Sequence, residues 1–286
     1  MKVGYLGPEG TFSEEASQTY RDKLEGKNID LIPYASFREL IKAASAGKVN
    51  EAVLPIENSI EGTIGIVVDM LASEVNLKIR QEIVLPVYHH LIALDGVKLK
   101  DITDVISIPQ ALDQCKEYLH KILPKAKLHL SYSTADAVKK VAEEDMLTLK
   151  AAGKVFAAIG TKASATLYGL KIIASKINAV DNKTRFVVLA KGDHPRTGDD
   201  KTSIVFSIKK DRPGGLHDVL GEIAARNINL TKIESRPSKK ALGEYYFFID
   251  MQGHREDKLI KEVLIGMKKK TSTLKNLGSY PKVKHG

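Results

Sequence analysis

The feature that most constrains this chain is a unit repeated from its start to Ala190. A short apolar run stops in small polar residues and passes at once into a helical pattern. KVGYL (2–6) leads into GPEGTFSEEA, with a helix predicted over 13–20. LIPYA (31–35) leads into FRELIKAASAG (37–47), a helix ended by Gly47. EAVLPIEN (51–58) is an apolar run of buried-strand type, and IRQEIVLPVYHHLIAL (79–94) holds one or two strands. DVISIPQALDQCKEYLHKIL (104–123) reads as a strand entering a helix, KLHLSYS (127–133) as a strand and TADAVKKVAEE (134–144) as a helix. KVFAAIG (154–160) then precedes the helix TKASATLYGL (161–170), and residues 184–190 form a last strand. Such alternation predicts an α/β domain whose strands are buried on both faces.

The pattern changes after KGDHPRTGDDK (191–201), which is polar, contains Gly and Pro and lacks periodicity. This predicts a first domain over 1–192, a linker over 193–201 and a second domain over 202–286. In the second, strand, helix, strand, strand, helix and strand follow one another. Leu216, Val219, Leu220 and Ile223 share one face of the first helix. The order βαββαβ is that of a ferredoxin-like module.

Composition narrows the function. Hydrophobic residues make up 43% and charged residues 28% of the chain, as in a packed globular protein. The net charge of +9 is spread along the sequence and no basic patch is interleaved with aromatics, which argues against nucleic acid as a partner. The start, MKVGYLGPEG, lacks the apolar core of a signal peptide, and no run approaches the length of a membrane span. A cytoplasmic location and no membrane partner are expected. Cys115 is the only cysteine, so neither an internal disulfide nor a cysteine metal cluster is available. No HExxH, GxGxxG or GxxxxGK[ST] occurs, and His89 and His90 alternate faces if they lie in a strand, which makes a poor chelate. No metal is expected.

Four strand-to-helix junctions gather small hydroxyl and amide residues: Gly7–Ser13, Glu57–Ser59, Ser107–Gln110 and Ser133–Thr134. Helix N-termini offer unpaired N–H groups and a partial positive charge, and so attract carboxylate or phosphate. The same residues are also the preferred N-caps. Thr11-x-x-Glu14 and Ser133-x-x-Asp136 both have the spacing of a capping box. Anion binding and plain capping both remain open on this pattern.

The residues at these junctions resemble the motifs of the prephenate dehydratase family. Gly7-Pro8-Glu9-Gly10-Thr11-Phe12-Ser13 is similar to its opening motif, and Leu54-Pro55-Ile56-Glu57-Asn58-Ser59 with Gly62 to its second. Ser107-Ile108-Pro109-Gln110-Ala111-Leu112, followed by Gln114-Cys115, resembles the third, although Ile108 stands where the family usually has His. Ala158-Ile159-Gly160 through Tyr168-Gly169-Leu170, then Asn182 and Thr184-Arg185-Phe186, resemble the last two. The C-terminal module resembles an ACT domain of the phenylalanine-sensing kind, through Pro213-Gly214-Gly215-Leu216-His217 and Glu234-Ser235-Arg236-Pro237. Gly215 stands where Ala is commoner.

The resemblance implies a two-lobed catalytic domain of the periplasmic-binding-protein (type II) kind. One lobe would comprise about 1–75 with 175–190, the other about 76–174. It implies a carbon–oxygen lyase that turns prephenate into phenylpyruvate, carbon dioxide and water, driven by aromatisation and without a cofactor. Thr184 would assist departure of the hydroxyl, by hydrogen bonding or by proton transfer. Ser107, Gln114 and Asn58 would complete the catalytic set, and Thr11, Ser59 and Arg185 would bind substrate. Arg185 is alternatively a brace for Glu57, since neighbours in a strand point to opposite faces. L-Phenylalanine would bind at Gly214, Gly215, Leu216, His217, Glu234, Ser235, Arg236 and Pro237, and a homodimer or homotetramer is expected. An arogenate dehydratase and a non-catalytic anion-binding protein are the alternatives.

Overall fold

A computed structural model describes residues 1–24, 28–143, 153–178, 182–208, 212–239 and 243–283. The strands are β1 (Lys2–Leu6), β2 (Asp30–Tyr34), β3 (Glu51–Asn58), β4 (Gly62–Thr63), β5 (Lys78–Pro86), β6 (His90–Ala93), β7 (Asp104–Ser107), β8 (Lys127–Leu130), β9 (Phe156–Gly160), β10 (Lys171–Ala174) and β11 (Lys183–Ala190). Between them lie the helices α1 (Phe12–Asp22), α2 (Phe37–Ser45), α3 (Gly65–Ser73), α4 (Pro109–Gln114), α5 (Lys116–Ile122), α6 (Thr134–Glu143) and α7 (Lys162–Leu167). One sheet has the order β2-β1-β3-β11-β5, with β4 pairing β3; a second has the order β10-β6-β9-β7-β8. Burial follows position in the order. Ala52, Val53 and Leu54 of β3 and Val187, Val188 and Leu189 of β11 are fully buried, whereas the edge strands β2 and β8 are half-exposed. Apolar runs thus form inner strands covered on both faces.

The last module consists of β12 (Asp200–Ile208), α8 (Gly215–Ala224), β13 (Leu230–Pro237), β14 (Tyr245–Gln252), α9 (Lys258–Lys270) and β15 (Thr271–Pro281). Its antiparallel sheet runs β13-β14-β12-β15. Val219 and Ile223 of α8 pack with Ile204, Phe206, Ile249, Met251, Ile260, Val263 and Met267, while Leu216 and Leu220 are partly buried against them. The expected α/β class and the βαββαβ appendage are both present.

Several elements depart from expectation. Helix α3, the two-residue β4 and the short β10 were not predicted. The helix expected after Ile108 is broken at Cys115, which is buried and joins α4 to α5. Strand β12 begins at Asp200, earlier than the polar stretch suggests, and Asp200 and Lys201 are buried in it. The end of the helix expected over 134–144 lies outside the described residues. Among the described residues no helix is long and apolar enough to cross a membrane.

The contacts divide into two compact units. The first is Met1–Leu40, Glu57–Thr63 and Val84–Arg185; the second is Ile41–Ile56, Ile64–Ile83 and Phe186–Gly286. The second unit therefore includes the βαββαβ module together with α3 and the first part of β5. Within it Lys201 holds both carboxylate oxygens of Glu82 at 3.1 and 3.0 Å, and both residues are buried. Such a pair costs much to bury and more to break. A Cβ added at Gly278 of β15 would lie 2.0 Å from the Ile79 carbonyl oxygen of β5, so the two backbones touch where only glycine fits.

Candidate active site

Within the first unit, the end of β3 and the start of β11 bring Asn58 beside Thr184. The carboxamide of Asn58 has only one possible orientation. Its Oδ1 accepts the backbone N–H groups of Ile60 at 2.9 Å and Glu61 at 3.0 Å, closing a turn between β3 and β4. Its Nδ2 must then face the other way. It donates to Thr184 Oγ1 at 2.9 Å, to Asn182 Oδ1 at 2.8 Å and to the Lys183 carbonyl at 3.3 Å. Thr184 Oγ1 is therefore an acceptor in this contact, and its own hydrogen remains available to another group.

The same direction propagates along a chain of amides. Asn182, with its Oδ1 accepting, donates Nδ2 to Gln114 Oε1 at 2.7 Å. Gln114 Oε1 also meets His89 Nε2 at 3.1 Å, and Gln114 Nε2 donates to Glu61 Oε1 at 3.3 Å. Gln114 is the last residue of α4, immediately before the break at Cys115. Asn182, His89 and Thr184 are all buried. Burial pushes the His89 imidazole down to about 4, with the neighbouring His90 acting in the same sense and the bond to Gln114 opposing both.

The start of α1 approaches this chain. The Phe12 ring, at the first residue of α1, meets the His89 ring edge-on with centroids 5.6 Å apart. Thr11 caps α1: its Oγ1 accepts the Glu14 N–H at 3.4 Å and contacts the Pro8 carbonyl at 3.0 Å. The Glu14 carboxylate reaches back to the Gly10 N–H at 2.5 Å, one residue earlier than in a standard capping box. Ser133 likewise caps α6 through the Asp136 N–H at 2.9 Å. Gly10, at φ +81°, accepts through its carbonyl the Thr161 Oγ1 hydroxyl at 2.6 Å, and a Cβ there would press on Ser164 at 3.0 Å. Thr161 caps α7 in a full capping box with Ser164.

The other expected site residues fall as follows. Ser59 is exposed and exchanges hydrogen bonds with Lys183: its N–H with the carbonyl at 2.9 Å and its Oγ with the N–H at 2.9 Å. Arg185 Nε lies 3.2 Å from Glu57 Oε2. Strand alternation thus gives Thr184 to Asn58 and Arg185 to Glu57. Ser107 is fully buried and donates to the Ile159 carbonyl at 2.7 Å, so its hydroxyl braces β7 and does not join the amide chain. Ile108 packs partly buried against the Val105 and Leu112 cluster. Asn182 and His89 are members of the chain that sequence reasoning did not select. Asn182 lay inside a quoted motif, whereas His89 carried only its place next to His90. Among the described residues no three His, Cys, Asp or Glu side chains gather as a metal ion requires.

In the second unit, Gly214 has φ +79° and precedes α8, whose first residue Gly215 is buried. Leu216 is partly buried and the His217 side chain is exposed, 3.5 Å from Asp218. On β13, Glu234 and Arg236 are half-buried and Ser235 and Pro237 exposed. Arg236 clamps Asp69 of α3 with Nε at 2.7 Å and Nη2 at 3.2 Å, and Lys239 meets the same carboxylate at 2.7 Å. Burial opposes ionisation of Asp69, but these two cations outweigh it and hold the carboxyl below its usual range.

Comparison with known proteins finds relatives over nearly the whole chain. The sequence model of the prephenate dehydratase family matches residues 3–194, and that of the ACT domain matches residues 202–265. A prephenate dehydratase of Methanocaldococcus jannaschii is 41% identical, with 98% of this chain and 97% of the relative covered. A bifunctional chorismate mutase/prephenate dehydratase of Aquifex aeolicus is 38% identical over 99% of this chain and 74% of the relative. The solved prephenate dehydratase of Arthrobacter aurescens in complex with L-Phe superposes with a TM-score of 0.88 at 32% identity, covering 99% of this chain and 90% of that one. Fold, site and comparisons define a hydro-lyase joined to an ACT module. The chain belongs to the prephenate dehydratase family.

Proposed function

We propose that this chain dehydrates prephenate with the side chains of the Thr184–Asn58–Asn182–Gln114 chain. Prephenate, a dianion, takes up one proton and yields the phenylpyruvate anion, carbon dioxide and water. The bond from the ring to its carboxylate breaks, its electron pair enters the ring, and the hydroxyl leaves from the opposite carbon. The enzyme must hold the anion and assist the leaving oxygen. The observation that carries the reading is the direction of the Asn58–Thr184 hydrogen bond, 2.9 Å long. Because Asn58 donates, the Thr184 hydroxyl is left to donate to the departing oxygen. A threonine hydroxyl is a weak acid, so its contribution is hydrogen-bond stabilisation in a preorganised site.

Carboxylate recognition is assigned to the α1 N-terminus capped by Thr11 and to Ser59 and Arg185, with Glu57 orienting Arg185. Helix-end N–H groups suit an anion without adding a formal charge. Ser107 is assigned the support of this site from below, through its bond to Ile159. The catalytic part is taken as residues 1–192, with lobes of about 1–75 plus 175–190 and about 76–174; the linker expected over 193–201 gives way to β12 at Asp200. A biosynthetic substrate supports a cytoplasmic location.

The ACT module is assigned feedback sensing of L-phenylalanine. Gly214 and Gly215 allow a backbone loop to approach an amino acid, and Leu216, His217 and Glu234–Pro237 surround the assigned pocket. Self-association as a dimer or tetramer belongs to the same reading. The test is direct: pure protein is incubated with prephenate, and separately with arogenate, and phenylpyruvate or phenylalanine is measured with and without added L-phenylalanine. Turnover of prephenate, reduced by L-phenylalanine, is expected. A higher kcat/KM on arogenate would reassign the substrate, and absence of turnover on both would overturn the enzyme reading.

A further inference from the structure

We infer that His89 is a positioning residue of this site: as the neutral Nε2–H tautomer it aims the carboxamide of Gln114, and through Gln114 the amides that reach Thr184. The inference rests on the dehydratase reading above. The direction of every bond in the chain follows from two backbone amides. The N–H groups of Ile60 and Glu61 fix Asn58 Oδ1 as an acceptor. Asn58 Nδ2 then makes Asn182 Oδ1 an acceptor, and Asn182 Nδ2 makes Gln114 Oε1 an acceptor. His89 Nε2, 3.1 Å from that oxygen, must carry the hydrogen. With the hydrogen on Nδ1 instead, Nε2 would present a lone pair to Gln114 Oε1. The amide would be driven to turn over, and its NH₂ group would then face the NH₂ group of Asn182.

The ring is held so that it can impose this choice. The His89 N–H donates to Asn178 Oδ1 at 2.8 Å, and its carbonyl accepts the Ile177 N–H at 2.9 Å. Phe12 closes one side of the imidazole, which belongs to a residue only 4% exposed. Nδ1 is buried with no hydrogen-bond partner among the described residues, so a second proton would have no acceptor there. The depressed titration of His89 agrees with a ring that stays uncharged. A histidine serving only as packing would need neither a fixed tautomer nor an amide facing it.

The test uses the full chain, with kcat and KM on prephenate and thermal melting for each variant. His89→Phe keeps the ring and removes the donor; His89→Gln returns an amide N–H near the place of Nε2; His89→Asn offers one nearer Nδ1. We expect His89→Phe to lower kcat by about tenfold or more with KM within about threefold. His89→Gln should recover most of that loss and His89→Asn should not. In a Gln114→Ala background the His89→Phe change should cost no more than about twofold. Additive effects, or equal activity of the Gln and Asn variants, would overturn the inference, and the latter comparison holds even if His89→Phe does not fold. Ring ¹⁵N shifts of His89 at neutral pH supply a readout independent of turnover. The Nε2–H tautomer is expected, and an Nδ1–H or doubly protonated ring contradicts the inference. Wild-type protein without turnover on prephenate would instead refute the dehydratase reading.

Discussion

Asn58 commits its acceptor oxygen to two backbone amides and its NH₂ group to Asn182, Thr184 and the Lys183 carbonyl. Changing it to Asp keeps the turn but points an acceptor at Thr184 and at Asn182 Oδ1. Thr184 would then donate backwards, and a negative charge would stand near a dianionic substrate. Asn58→Asp should therefore lower kcat on prephenate by about a hundredfold, measured by steady-state turnover. His89 gives a prediction on stability. Its folded pKa of about 4 lies below the ordinary value of 6.5, so the unfolded chain binds the proton more readily between those values. Stability from this group is complete above about pH 6.5 and falls away as pH drops toward 4, by about 3 kcal/mol in all. His90, also buried and lowered, and several paired carboxylates contribute in the same sense, so urea unfolding across that window should show a steeper slope in wild type than in His89→Gln.

At the scale of elements, what the sequence disclosed follows from burial. Strands β3 and β11 carry the apolar runs AVLPI and FVVLA, so their positions were legible to within a residue, whereas β5 and β6 were read only as one or two strands over 79–94. Helix α3 was not, because GIVVDMLAS carries two adjacent valines and buries residues on several sides, which blurs the helical period. The break at Cys115 was also hidden, since nothing in QALDQCKEY marks it, yet it ends α4 at Gln114. Asn58, Gln114 and Thr184 came from resemblance to family motifs. The bonds that join them could not be read, because residues 58, 89, 114 and 182 meet only in three dimensions. The contact of β15 with β5 is similarly silent in sequence. Gly278 has φ +139° and leaves no room for a Cβ against Ile79. Gly278→Ala should cost about 2 kcal/mol or more, read by denaturant unfolding at neutral pH.

For the whole molecule, the module over β12–β15 is built into the second unit by ties that polar composition at 191–201 did not foretell. Lys201 is buried with Glu82, Lys275 donates to the Leu71 and Val75 carbonyls at 2.7 and 2.6 Å, and Arg236 clamps Asp69. Cutting away residues 200–286 would strip all of these and uncover β5, so point variants give the cleaner test of sensing. Gly214→Val, at a position with φ +79°, should raise the L-phenylalanine concentration for half-inhibition by about tenfold or more, measured in the turnover assay. The activity of the molecule rests in the end on one hydroxyl and the direction in which it donates. The most direct measurement is kcat on prephenate for Thr184→Val beside Thr184→Ser, each checked for an unchanged melting temperature. If Thr184 donates to the leaving oxygen, Val should lose about a hundredfold or more and Ser should stay within about tenfold of wild type. A Val variant within about threefold of wild type would contradict the account.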